Sequence, residues 1–153
     1  MRLVLGIPVT AFAQKTAPSL VDTRSYIMNK SEEAVHGSPS LSFDQRNVLI
    51  EEKYGAVRHT MKVPIKDLDV ATFTKAAWHP TKDGDAFPVT LQMRDVKKTI
   101  RETHTSKKDR TLNQERFESF IQFHFADDEI VKRLAKAFVN LLSYRARRDQ
   151  AVD

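Results

Sequence analysis

The sequence predicts a mainly β domain with one long C-terminal α-helix, arranged as a bent antiparallel barrel or sheet capped by that helix. Three observations predict it. Short runs between Leu41 and Phe125 alternate apolar and polar residues with period two and are separated by turn residues. Ala126 to Asp149 instead carries Ile130, Val131, Leu134, Ala137, Phe138, Leu141 and Leu142 at helical spacing. An antiparallel sheet with one apolar face needs a cover, and this final segment is the only long amphipathic stretch able to supply it.

In chain order, the first stretch is an apolar run from Leu3 to Ala13 behind Arg2, with Ala11-Phe12-Ala13 in small-x-small spacing. It reads as a short signal segment over 1–13, and a signal segment implies export to the periplasm or beyond. It is too short to span a bilayer, and no other stretch is a transmembrane candidate. Gln14 to Pro39 lacks a period and contains Pro18, Gly37 and Pro39. It reads as an extended linker or tail, with at most a helical turn over 29–35. The domain is expected over 40–149, with a tail at 150–153.

Leu41–Phe43 begins the strands, and Val48, Ile50 and Tyr54 share one face of the next. Gly55 supplies a positive φ for the following bend if one is needed. Val57, His59, Met61, Val63 and Ile65 then alternate with Arg58, Thr60, Lys62 and Lys66, the cleanest alternation in the chain. Pro64 lacks a ladder donor, so it belongs at an edge, a strand end or a bulge. Lys66–Asp69 is a turn. Val70–Ala77 fits either a strand or a short helical connection. Trp78, beside the loop residues Pro80 to Asp85, is expected to cover an edge of the core. Val89, Leu91 and Met93 make another strand. Lys97–Thr105, with Ile100 its only large aliphatic residue, reads as a solvated strand leading into a hairpin around 106–110. Arg116–Phe125 closes the series, although Phe120 breaks its parity and a helical reading of 113–120 competes. The last helix has Asp127 placed to cap its first turn, Asp128 and Glu129 behind it, and Arg145, Arg147 and Arg148 at its far end, as the helix dipole favours.

Two segments, Val63-Pro64-Ile65-Lys66-Asp67-Leu68-Asp69 and Phe125-Ala126-Asp127-Asp128-Glu129 leading into Val131 to Phe138, give the chain a wider likeness. With the strands-then-helix order, it resembles the pleckstrin-homology-like superfold, and more narrowly small exported bacterial proteins carrying a PH-like domain. The resemblance covers about Leu41 to Asp149. It implies a barrel closed by the helix and a binding role toward lipid, peptide or protein, and it brings no catalytic residues with it.

Composition narrows function mainly by exclusion. The 153 residues are 41% hydrophobic, enough for a real core, and the formal net charge of +5 is mild, short of a nucleic-acid-binding composition. With no cysteine, thiolate metal sites, disulfides and a cysteine nucleophile are excluded. The four glycines, Gly6, Gly37, Gly55 and Gly84, form no phosphate-cradling loop. No cofactor is expected. The histidines are His36, His59, His79, His104 and His124, and none makes an HExxH or a close ligand pair. His59 reads as a hydrogen-bonded core histidine, and His104 and His124 are candidates to meet across a hairpin. Ser106 beside His104 lacks a nucleophile elbow. Asp67 with Asp69, and Asp83 with Asp85, read as turn acids rather than paired catalytic or calcium-binding carboxylates.

The remaining candidate is the basic stretch 94–116, with eight Lys or Arg against four Asp or Glu. Lys97, Lys98, Arg101, Lys107, Lys108 and Arg110 are its candidate anion- or partner-binding residues. An equally physical reading makes them a solvated edge hairpin whose charges deter strand pairing. The expectation drawn from the whole chain is a non-enzymatic binding or scaffolding domain of the cell envelope, taking a protein or peptide partner and no nucleic acid. Arg145 to Arg148 are placed to assist an acidic partner. The alternatives are a small-ligand carrier or hydrolase with a pocket in the barrel, and weak phosphate or lipid-headgroup binding through the basic hairpin.

Overall fold

A computed structural model describes residues 18–35 and 39–150. The signal segment expected over 1–13 lies outside them. The elements run α1 (Leu20–Ser31), β1 (Ser40–Phe43), β2 (Asn47–Tyr54), β3 (Val57–Pro64), α2 (Val70–Trp78), β4 (Phe87–Gln92), β5 (Ile100–Ser106), β6 (Gln114–Glu118), β7 (Phe120–Phe125) and α3 (Asp128–Gln150). Short 3-10 turns follow β3, β4 and β5.

This is a mixed α/β fold with open sheets, and it corrects the expected PH-like capped barrel. One sheet has five strands in the order β1-β2-β3-β5-β6, and a separate sheet has only β4 and β7. All pairings are antiparallel. β1 and β6 are the two edges of the larger sheet, so it does not close on itself. The reason lies at Ser119. The expected single strand 116–125 breaks there into β6 and β7, and the chain leaves one sheet for the other. The Ser119 carbonyl accepts from the Met93 amide at 2.8 Å, which ties the crossing point to the end of β4. The change of sheet also explains the parity break at Phe120. Phe123 and Phe125 are buried, whereas Phe117 and Phe120 are half exposed.

The second correction is α1, inside the stretch read as an extended linker. Ser19 and Asp22 form a reciprocal capping box at its start. Its buried stripe is Thr23, Ile27 and Ser31, with a single large apolar side chain, so the hydrophobic period is faint. Polar contacts complete the docking. Asn140 Nδ2 donates to Thr23 Oγ1 at 3.0 Å, and the Tyr144 hydroxyl donates to the Pro18 carbonyl at 2.5 Å. Thus α1 and α3 lie antiparallel, and Ile27 is fully buried beside α3.

The expected closing helix is present as α3, with Val131, Leu134, Ala135, Phe138 and Leu141 buried. Asp127 Oδ1 accepts from the Glu129 amide at 2.9 Å, as a capping residue should. The core joins these side chains to Val48, Ile50, Val63, Ile100, Val89, Leu91, Phe123 and Phe125. β1 to β4 lie where alternation placed them, and Pro64 is the last residue of β3. Gly55 makes the β2–β3 bend with φ +60°. Val70–Trp78 is a helix, held at its start by Asp69, whose carboxylate accepts from the Ala71 and Thr72 amides. Trp78 is 53% exposed and does not cover the core. β5, expected to be a solvated strand, is internal to the sheet between β3 and β6 and buries Ile100 and Glu102. Among the described residues no helix is long and apolar enough to cross a membrane.

Candidate functional site

Strand parity builds the site. Val48, Ile50, Met61, Val63 and Ile100 point one face of β2, β3 and β5 into the core. The same parity, carried toward the β2–β3 turn, places Glu52, His59, Glu102 and His104 on that face. The register then brings them side by side: Glu52 pairs with His59, and His59 with His104. Arg116 on β6 faces Glu102 across the next pairing.

The side chains converge on one carboxylate. Glu102, 7% exposed at its side chain, has Oε1 2.5 Å from His59 Nε2 and 3.4 Å from His104 Nε2. Arg116 grips it with two bonds: Nε donates to Oε2, and an Nη donates to Oε1 at 3.1 Å. The other ring nitrogen of His59, Nδ1, lies 3.1 Å from Glu52 Oε2. The Tyr54 hydroxyl donates to that same Glu52 oxygen at 2.9 Å. The two imidazoles stack, with centroids 4.2 Å apart. His104 and Arg116 keep one side of the cluster open to solvent, their side chains being 32% and 59% exposed.

The electrostatics follow from these partners. Burial pushes the Glu102 carboxyl up, but hydrogen bonds from Arg116 and His59, and their charges, outweigh it and hold it down at about 2. The Tyr54 hydroxyl is pushed up, first by its bond to Glu52 and then by burial.

One ligand atom from each of His59, Glu102 and His104 lies within 4.8 Å of the others. Two imidazoles and one carboxylate are the donor set of zinc and other late first-row divalent ions. The outer contacts fit that use. A metal-ligating histidine commonly donates its second nitrogen to a carboxylate, and Glu52 stands where that carboxylate belongs. Tetrahedral bonds of about 2.0–2.1 Å set ligand atoms about 3.3 Å apart. For such an ion to bind, the 2.5 Å His59–Glu102 contact would have to open, and the wider separations close, through side-chain rotation.

No family model, curated protein or solved structure matches the chain.

The candidates named from sequence fall differently. His59 is hydrogen bonded, as expected of a core histidine. His104 and His124 do not meet: His104 pairs with His59 in the large sheet, and His124 lies opposite Pro88 in the small one. His79 caps the end of α2 and is exposed, while His36 lies outside the described residues. Asp69 is the α2 cap, Asp67 lies in the 3-10 turn after β3, and Asp83 and Asp85 flank an exposed turn. Ser106 Oγ accepts from the Asp109 amide at 3.2 Å, inside the hairpin connection.

The six basic residues are not brought into one patch. Lys97 and Lys98 precede β5, while Lys107, Lys108 and Arg110 follow it, so the length of a seven-residue strand separates them. Arg101 points from the opposite face to the histidines and is paired with Glu115 at 2.7 Å. Lys107 and Lys108 instead join Lys53 and Arg58 around a hollow of about 340 Å³ at the β2–β3 turn. Glu102 and Arg116 were missed, because only the β3–β5–β6 register makes them neighbours of His59. The available signal was His59 itself, a titratable residue on the apolar face of the best strand.

Proposed function

We propose that this protein binds a divalent transition-metal ion, zinc foremost, through His59, Glu102 and His104, and acts as a small-ligand carrier. The observation that supports it is the convergence of three donor atoms within 4.8 Å, with Glu52 behind His59. The ion would take the place of the proton between His59 Nε2 and Glu102 Oε1. Arg116 would give up its contact with Oε1 and keep the one with Oε2, which holds the carboxylate in orientation. The solvent-facing side leaves room for water or an exchanging ligand to complete the coordination.

Calorimetric titration of the chelator-treated protein with Zn²⁺ tests this reading. One ion per chain should bind, and His104→Ala or Glu102→Gln should each remove most of the affinity. Substitution with Co²⁺ should give the visible absorption of a tetrahedral nitrogen–oxygen site. Absence of binding, or binding that both variants leave unchanged, sinks the metal reading.

The two-pronged grip of Arg116 on Glu102 favours a second reading. In it the cluster is an ion-pair network that pins β3, β5 and β6 where apolar cover ends. That reading requires Glu102→Gln to destabilise the protein in chelator and zinc to add nothing to the stability of the wild type.

A further inference from the structure

A second site lies at the other end of the molecule, where the start of α1 meets the end of α3. Arg24, Arg145 and Arg148 line a recess of about 200 Å³ with Gln45. Leu20, Ile65, Leu141 and Tyr144 form its less polar walls. None of these three arginines makes an ion pair with a carboxylate among the described residues. Among the described residues Arg145 donates to the Arg46 carbonyl, at 3.4 Å. Arg24 lies over the Phe43 ring, 5.5 Å from its centre, and its Nε is buried with no hydrogen-bond partner.

Local structure accounts for only part of this. The dipole of α3 explains cations in its last turns. It does not explain Arg24, the fifth residue of α1, which stands at the end of its own helix that gains nothing from positive charge. Three guanidinium groups sharing one recess, with no carboxylate paired to them among the described residues, repel one another, and a buried N–H left unpaired is costly. An anion in the recess would relieve the repulsion, and rotation of the Arg24 side chain would offer it the Nε hydrogen as well. Arginine's planar fork suits oxyanions with several acceptor oxygens, phosphate above all. The recess is smaller than ordinary drug-sized pockets, so its occupant is small.

We propose that Arg24, Arg145 and Arg148 form a binding site for a small phosphomonoester, with Gln45 as an additional polar contact. The phosphoryl group meets the guanidinium groups, and a short apolar substituent lies against Leu20 and the Tyr144 ring, the apolar lining residues that are only partly buried. The site is independent of the metal-binding reading and uses none of its residues.

Titration calorimetry with phenyl phosphate and inorganic phosphate at constant ionic strength tests it. Phenyl phosphate should bind more tightly than inorganic phosphate because of the apolar walls. Its affinity should rise between about pH 5.5 and 7.5 as the ester gains its second charge. Arg145→Gln and Arg148→Gln should each weaken binding by about tenfold or more. Both side chains lie toward the surface, and melting curves without ligand confirm that these variants fold. Lys75→Gln, an equal charge change at an exposed position of α2, should leave affinity unaltered. No detectable binding of phenyl phosphate overturns the proposal. So does a Lys75→Gln effect as large as that of the two arginine variants, which would reveal a diffuse charge effect.

Discussion

Glu102→Gln is the substitution that most directly examines the polar cluster. It keeps the side-chain shape and removes the charge that Arg116 and His59 share. The carboxyl is held at about 2 instead of its ordinary 4.5, and that difference corresponds to about 3 kcal/mol of folding free energy. The sign follows from the direction of the shift. A group whose folded pKa is depressed adds stability above its unfolded value, and that stability is lost as pH falls toward the folded one. Urea denaturation of wild type and variant in chelator, repeated from neutral pH to about pH 2, measures the difference. Wild type should exceed the variant by about 3 kcal/mol near neutrality, and the gap should shrink between about pH 4.5 and 2. Every other carboxylate is present in both proteins, so the difference isolates Glu102. A gap that is flat across this range, or below about 1 kcal/mol at neutrality, would refute the assignment of Glu102 as a paired, ionised carboxylate.

Other expectations concern the metal and the core. Zinc at about 100 times its dissociation constant should add about 2.7 kcal/mol of stability and raise the melting temperature by roughly 5–10 °C in wild type, and should do neither in His104→Ala. Ile27→Ala should cost about 2–5 kcal/mol in denaturant titration, because Ile27 is fully buried beside α3; a loss near zero would mean α1 does not dock. Phe138→Ala should cost about 3–5 kcal/mol by the same measurement, since Phe138 is 2% exposed at the centre of the helix–sheet core.

Much of the chain could be read locally. The alternation in Val48–Tyr54 and Val57–Pro64 is a property of strands with one buried face, and β2 and β3 lie there. The apolar stripe and end charges of 126–149 announced α3 for the same kind of reason. Trp78 misled because size and hydrophobicity indicate what a side chain would gain from burial, not whether cover is available. α1 was missed because most of its docking face is small or polar. Thr23 and Ser31 flank Ile27 on it, and contacts with Asn140 and Tyr144 supply what an apolar stripe normally does.

From residue order alone came the faces of β2 and β3, the long amphipathic α3 and its charged ends, because period and capping are written in neighbouring residues. The pairing of strands, the failure of the sheet to close and the two clusters required the folded chain. His59 and Glu102 stand 43 residues apart and meet through the β3–β5 adjacency, and Arg24 reaches Arg145 and Arg148 through helix docking. Periodicity states which side of a strand or helix faces inward but carries no information about which element packs beside it, and both clusters are consequences of that choice of neighbour.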